Sequence, residues 1–388
     1  MLFTIHLLYL SFNRVGTILN ASYIHGKISY NRGGNLVKRN WTMTLLIGLL
    51  MILMAACGNS STSSEENSTE SNNNEETKDV EAKVEGTLNF YTSQPDADAA
   101  KLVEGFNLKY PDVEVEIFRS GTEEVISKIQ AEKLAGDVQA DVLLVADAVT
   151  FESLKEEDML LAYDSEEAGK IPAEFIDADG TYYGTKVMTT GIVVNTEKVK
   201  ELPTSWEVLT SEESKGKIIM PSPLYSGAAA YNLGVLTRQD SFGWEFYENI
   251  QANEVQVTKG NGDVLKGVAS GEKDYGMIVD YLAARAAQEG SPVAFVYPTE
   301  GVPVITEPIG IMNGTDNEAA AQAFVDFVLS EEGQQLAAEL GYSPVREGVE
   351  APEGLKTIEE LKVISADMNE LYKAREDDKK KFEEITAQ

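Results

Sequence analysis

An α/β fold in two lobes, each a mostly parallel sheet flanked by helices, is what the sequence predicts, on three observations. From Gly86 onward, short β-branched runs alternate with stretches of helical periodicity. One run, Asp141 to Ala146 (DVLLVA), is almost continuously apolar, as parallel strands covered on both faces are. The alternation then restarts beyond Trp206, and 388 residues suit two domains of about 100 to 200 residues each.

Thr87 to Tyr91 reads as a strand, and Ala99, Leu102, Val103, Phe106 and Tyr110 recur at helical spacing until Pro111 stops them. Val113 to Phe118 alternates as a strand. Glu123 to Leu134 is a helix with Val125, Ile126, Ile129 and Leu134 inward, and Asp141 to Ala146 completes a β-α-β-α-β unit. Tyr182 to Asn195 reads as two short strand-like pieces. The second set runs strand Lys217 to Met220, helices Ala228 to Thr237, Phe242 to Gln251 and Val264 to Ser270, strand Tyr275 to Val279, helix Tyr281 to Gln288 and strand Val293 to Tyr297. Val304 to Met312 returns as a strand, followed by a helix marked by Ala320, Ala323, Phe324, Phe327 and Val328. The acidic and basic helix from Ile358 to about Glu384 is expected to be a solvated cap. These readings assign 86–190 to the first part of lobe 1, 191–303 to lobe 2, 304–346 to the return into lobe 1 and 347–388 to a C-terminal helical segment.

The front of the chain reads as an address. Lys38 and Arg39 precede an apolar run from Met43 to Met54 that ends in Ala55-Ala56-Cys57. The run is shorter than the roughly 20 residues a membrane-spanning helix needs, so 1–57 is expected to be a signal region ending in a lipobox, with Cys57 diacylated. Residues 1–36 fit neither a signal nor a domain and are expected to precede the true start, with Leu36, Val37 or Met43 as initiator. Residues 58–85, rich in Ser, Asn and Glu, cannot bury enough apolar surface to order themselves, and are expected to form a tether reaching about 25 to 30 Å. The folded part then sits at the outer face of the cell membrane, held by lipid.

Charge and composition exclude several classes. Beyond Cys57 there are 27 basic and 64 acidic residues, a net charge of −37, which repels nucleic acid and anionic headgroups. The lone cysteine is Cys57 and both histidines, His6 and His25, precede it, so a chain cut there has no imidazole or thiol for Ser-His-Asp, Cys-His or zinc chemistry. No cofactor is called for, and a monomer is expected.

What remains are hydroxyls, amides, carboxylates and phenols, and ligands of open α/β sheets bind in loops beyond the strands' carboxyl ends. Ser226-Gly227-Ala228 opens a helix after the strand KIIM, where N–H groups and a hydroxyl meet the positive end of the helix dipole. That makes either an oxyanion cradle or an ordinary N-cap. Ser120-Gly121-Thr122 makes a similar turn before the first lobe's second helix, and Thr92 and Ser93 another before its first, although such residues are also common in plain loops.

The order of six segments resembles one family: FYTSQPD, ADVLLVADAVTFESLKEEDML, TSWEVLTSEESKGKIIMPSPLYSGAAAYNLGVL, GVASGEKDYGMIVDYLAARA, FVYPTEGVPVITEPIGI and AFVDFVLSEEGQQLAAELGYSPVR. Over roughly Gly86 to Arg346 the chain resembles the extracellular solute-binding proteins of ABC importers, with the type 2 periplasmic-binding fold close to the ferric-binding proteins. The resemblance implies two lobes on hinge strands, no enzymatic activity, and a permease and its ATPase as partners. It implies that Ser226, Gly227, Ala228 and Asn261 hold an anion.

The same resemblance weakens iron. Where the ferric-binding branch has a His, a Glu and adjacent tyrosines, this chain has Pro95, Ala146 and Asp280-Tyr281. Asp147, Asp280 and Tyr281 remain as an alternative metal set, since ferric iron favours hard anionic ligands. An anion subsite without a good iron site suits a small phosphonate such as 2-aminoethylphosphonate or a sugar phosphate, with Asp280, Asp147 or Glu300 meeting an ammonium or hydroxyls and Tyr281 packing beside it. Two rivals stand beside this reading: a sensor presenting the solute to a membrane histidine kinase, and a surface hydrolase working through paired carboxylates.

Overall fold

The computed structural model describes residues 83–387. The expected signal region, Cys57 and all but the last residues of the expected tether lie outside the described residues. The chain enters through β1 (Gly86–Thr92), α1 (Asp96–Lys109), β2 (Val113–Arg119), α2 (Thr122–Ala135), β3 (Val142–Leu144), α3 (Ala148–Glu156) and β4 (Leu160–Leu161). It continues through β5 (Tyr183–Asn195), β6 (Ile218–Pro221), α4 (Gly227–Thr237), α5 (Gly243–Ala252), β7 (Gln256–Thr258), α6 (Asn261–Ala269), β8 (Tyr275–Val279), α7 (Asp280–Gln288) and β9 (Val293–Val296). The return is β10 (Val302–Met312), α8 (Glu318–Leu329), α9 (Glu331–Glu339) and β11 (Ser343–Pro344), and the end is β12 (Val363–Ile364) and α10 (Met368–Thr386). No described helix is long and apolar enough to cross a membrane.

Lobe 1 holds parallel strands in the order β2-β1-β3, with Thr92 in register with Arg119 on one side and Leu144 on the other. The three carboxyl ends therefore stop level, and the loops that follow lie side by side. Lobe 2 repeats the arrangement with parallel β7-β6-β8. Strands β5 and β10 run antiparallel beside each other and join the two sets. β5 pairs with β10 as far as Thr189, then with β8 from Thr190 and with β9 from Ile192, so the crossing between lobes falls at Thr189–Thr190.

Aromatic side chains dominate both cores. In lobe 1, Phe106 packs edge-on against Phe324, which also lies 4.8 Å from Phe90. In lobe 2, Trp206 is 1% exposed and its indole N–H donates to the Gly301 carbonyl at 2.8 Å, which satisfies the one polar atom of a buried ring.

The structure corrects three expectations. Tyr182 to Asn195 is not two pieces: all 13 residues of β5 are buried in one strand. Gly191 is required within the strand because a Cβ there would lie 2.5 Å from both the Phe295 ring and the Val296 carbonyl. Leu134 is 90% exposed rather than inward. It lies nine residues past Val125, which at about 100° per residue is the opposite face of α2. The C-terminal segment is no mere solvated cap either. It is a short 3-10 turn, β12 and then α10, and α10 buries Leu371, Phe382 and Ile385 together with charged groups that bear on the site.

Candidate functional site

A cavity of about 90 Å³ opens where the two sets of strands face each other. Its walls are helix beginnings. Pro95 caps α1, Gly121 and Thr122 start α2, Ser226 to Ala228 start α4, Gly260 and Asn261 start α6, and Val279 and Tyr281 start α7. The first N–H groups of a helix have no intrahelical acceptor and sit at the positive end of its dipole, so a space ringed by such ends favours negative charge. The N–H groups of Gly227 and Ala228 have no acceptor among the described residues.

The lobes touch at this ring. The Glu123 N–H of α2 donates to the Tyr225 carbonyl, 3.2 Å away in the loop before α4. Gly121 and Gly227 make the approach possible. A Cβ on Gly121 would lie 2.5 Å from the Tyr225 carbonyl, and one on Gly227 would lie 2.2 Å from the Ala146 carbonyl and 2.8 Å from the Thr122 hydroxyl.

Of the residues singled out from the sequence, Ser93, Gly121, Thr122, Ser226, Gly227, Ala228, Asn261 and Tyr281 line the cavity. Ser226 acts as an N-cap, its Oγ accepting from the Ala229 N–H at 3.3 Å and from the Asn261 amide at 3.4 Å. Asn261 Oδ1 in turn accepts from the Val279 N–H at 3.2 Å, so one amide side chain ties together the starts of α4, α6 and α7. Ser93 Oγ accepts from the Ala146 N–H at 3.3 Å. The Tyr281 ring lies 4.2 Å from that of Tyr342, and burial pushes its hydroxyl pKa up, so it stays a neutral phenol.

Five others are placed elsewhere. Thr92 is fully buried, donating to the Leu144 carbonyl at 2.8 Å and accepting from the Gln94 N–H, so it fixes the β1 turn rather than facing the cavity. Ser120 is bonded to the Glu124 carboxylate. Asp280 accepts from the N–H groups of Thr189 at 3.1 Å and of Tyr281 at 2.9 Å, clamping α7 to the point where β5 changes lobes. Burial pushes its carboxyl up to about 6. Asp147 caps α3 through Thr150 and is turned away into an ion pair with Arg375 of α10, at 3.0 Å. Arg375 also meets Glu123 at 2.8 Å, and Lys379 joins the same carboxylate at 2.7 Å. Burial raises the Asp147 carboxyl against the pull of Arg375, whereas for Glu123 the two cations outweigh burial and hold it below the ordinary range. Glu300 is likewise occupied, accepting from the Trp206 N–H.

Each of these acids already has a partner, and of Asp147, Asp280 and Tyr281 only Tyr281 lines the cavity. Among the described residues no group of three or more His, Cys, Asp or Glu side chains could hold a metal ion. Sequence reasoning missed Arg119, Tyr225 and Glu307, all at the cavity. Arg119 was legible as a basic residue ending a strand just before a flagged turn. Glu307 was not, because it lies inside a hinge strand, where it pairs with Lys186 at 2.6 Å with both side chains about 95% buried.

Residues 137–373 match the family described as bacterial extracellular solute-binding protein. A periplasmic protein of Salmonella typhimurium named for 2-aminoethylphosphonate binding is 26% identical over 254 residues, covering 62% of this chain and 72% of the relative. Iron uptake protein A1 of Synechocystis sp. is 24% identical over 277 residues, covering 67% and 76%. The solved structure of the periplasmic binding protein AfuA from Actinobacillus pleuropneumoniae, with fructose-6-phosphate bound, is similar with a TM-score of 0.73 at 25% identity, covering 78% of this chain and 98% of AfuA. Two lobes hinged on β5 and β10 around a cleft are the type 2 periplasmic-binding fold, and with more than half of its length matched, the chain belongs to the bacterial extracellular solute-binding proteins, the solute-capturing components of ABC importers.

Proposed function

We propose that the cleft captures a small solute bearing a phosphonate or phosphate group and that the closed form delivers it to a permease. The observation that carries this reading is the ring of helix beginnings around the cavity, with the Gly227 and Ala228 N–H groups unpaired there. Hydrogen bonds from such groups to an oxyanion are charge-assisted and roughly twice as strong as neutral ones. A micromolar dissociation constant needs about −8 kcal/mol, which several such bonds in a dry cleft can provide.

Binding then works without chemistry. A solute enters between open lobes, hydrogen-bonds to one, and is enclosed when the hinge at Thr189–Thr190 brings the other lobe's helix ends against it. A wrong solute leaves buried donors unpaired and so resists closure. The names of relatives support an anion in this fold, since one is named for 2-aminoethylphosphonate and AfuA was solved with fructose-6-phosphate. Diacylation at Cys57 would keep the protein beside its permease.

The test is native mass spectrometry and calorimetry of the gently purified protein against 2-aminoethylphosphonate, fructose 6-phosphate, inorganic phosphate and ferric salts. Micromolar or tighter binding of an oxyanion supports the reading. Binding of ferric ion alone, with no oxyanion partner, overturns it.

A further inference from the structure

Resting on that reading, we infer that Arg119 is the fixed cation that neutralises the solute's oxyanion, and that it selects an oxyanion over a bare metal ion. Arg119 ends β2, level with Thr92 of β1, and its side chain lines the cavity. Its Nε donates to the Gln94 carbonyl at 2.7 Å, which fixes the plane of the guanidinium. The two Nη groups have no partner among the described residues, so the outer fork remains open.

The contrast with its peers carries the argument. Every other described arginine is ion-paired: Arg238 with Asp378 and Glu370, Arg285 with Asp98, Arg346 with Glu167 and Arg375 with Asp147 and Glu123. Only Arg119 lacks a carboxylate within ion-pair distance among the described residues, in a chain where acids outnumber bases two to one. It also sits among the positive ends of helices, where a cation is disfavoured until an anion arrives. The one carboxylate on the cavity wall, Glu307, is already neutralised by Lys186. The cavity therefore carries net positive charge. A planar guanidinium with a free fork fits two oxygens of a tetrahedral oxyanion, a geometry that lysine cannot reproduce. A bare ferric ion would meet like charge.

Calorimetric titration of the full chain with 2-aminoethylphosphonate, fructose 6-phosphate and inorganic phosphate, for wild type, Arg119→Gln and Arg119→Lys, tests this. The expectation is a loss of about 10- to 100-fold for Arg119→Gln with whichever oxyanion binds, and a smaller loss for Arg119→Lys, which keeps the charge but not the fork. The ligand-free melting midpoint should move by no more than about 2 °C, since Arg119 makes a single structural hydrogen bond. Wild-type affinity in Arg119→Gln overturns the role of Arg119 and leaves the function standing. If Arg119→Gln loses its fold, Arg119→Lys decides, and wild-type affinity there overturns the fork. If the wild type takes ferric ion and none of the three oxyanions, both the role and the function fall.

Discussion

At residue scale, Ser226 and Asn261 share one hydrogen bond but carry different expectations. Ser226 caps α4, so Ser226→Ala should cost about 1 kcal/mol in the ligand-free protein as well as weakening solute binding. Asn261→Asp keeps the acceptor for the Val279 N–H and adds negative charge at the start of α6, where it is favourable. It should leave the ligand-free melting temperature unchanged or higher while weakening oxyanion binding at least 10-fold by calorimetry. A variant that melts earlier yet binds normally would assign Asn261 to structure alone. Asp280 gives a pH test. Its carboxyl titrates near 6 when folded against an ordinary 3.8, so the unfolded chain sheds that proton first. The folded state is favoured while Asp280 is protonated, and its share of stability falls as pH rises from about 4 to about 6, by at most about 3 kcal/mol. Asp280→Asn retains an acceptor for the Thr189 and Tyr281 N–H groups and should flatten that part of the profile, read as urea midpoints at pH 5 and pH 7. An unchanged slope would place the titration elsewhere.

At the scale of elements, α10 makes the sharpest claim. Its Leu371 and Phe382 pack into the lobe 2 core and Asp378 holds Arg238 at the end of α4, while Arg375 and Lys379 reach Glu123 of α2 and Asp147 before α3. Removing one member of a buried ion cluster leaves the rest uncompensated, so Arg375→Met should cost about 3 to 5 kcal/mol in urea unfolding, with part regained on adding Asp147→Asn. A loss under 1 kcal/mol would show that water reaches the cluster. The sequence shows α10 as a run of alternating charges, and nothing in that run says that Arg375 faces inward, because its partners lie more than 220 residues earlier. A helix with a single apolar stripe, such as α6 with Val264, Gly267 and Val268 buried, was legible for the opposite reason: its partner is the sheet itself. β5 was misread because a strand buried on both faces loses the alternation that marks a half-exposed one. The Ser226 turn and α2 start could be flagged locally, while Asp147 and Asp280 looked equally exposed as loop acids and were claimed by neighbours that only the fold supplies.

The molecule as a whole carries a charge of −32, yet helix beginnings and Arg119 line the cavity, and at physiological salt the roughly 8 Å Debye length keeps distant acids from setting the field there. In the proposed mechanism, closure is limited by how nearly the lobes can meet. At Gly227 they meet with no room for a methyl group, since its Cβ would fall 2.2 Å from the Ala146 carbonyl. Gly227→Ala should therefore hold the lobes apart, seen as a larger radius of gyration by small-angle scattering that excess solute does not reduce. A radius that contracts with solute as in the wild type would show that the contact yields. Such a wedge has a consequence beyond the isolated protein. An importer reads occupancy from shape, so a jammed copy produced alongside the normal one would be ignored at the gate if only shut jaws are recognised, and would starve the cell as a decoy if open ones are.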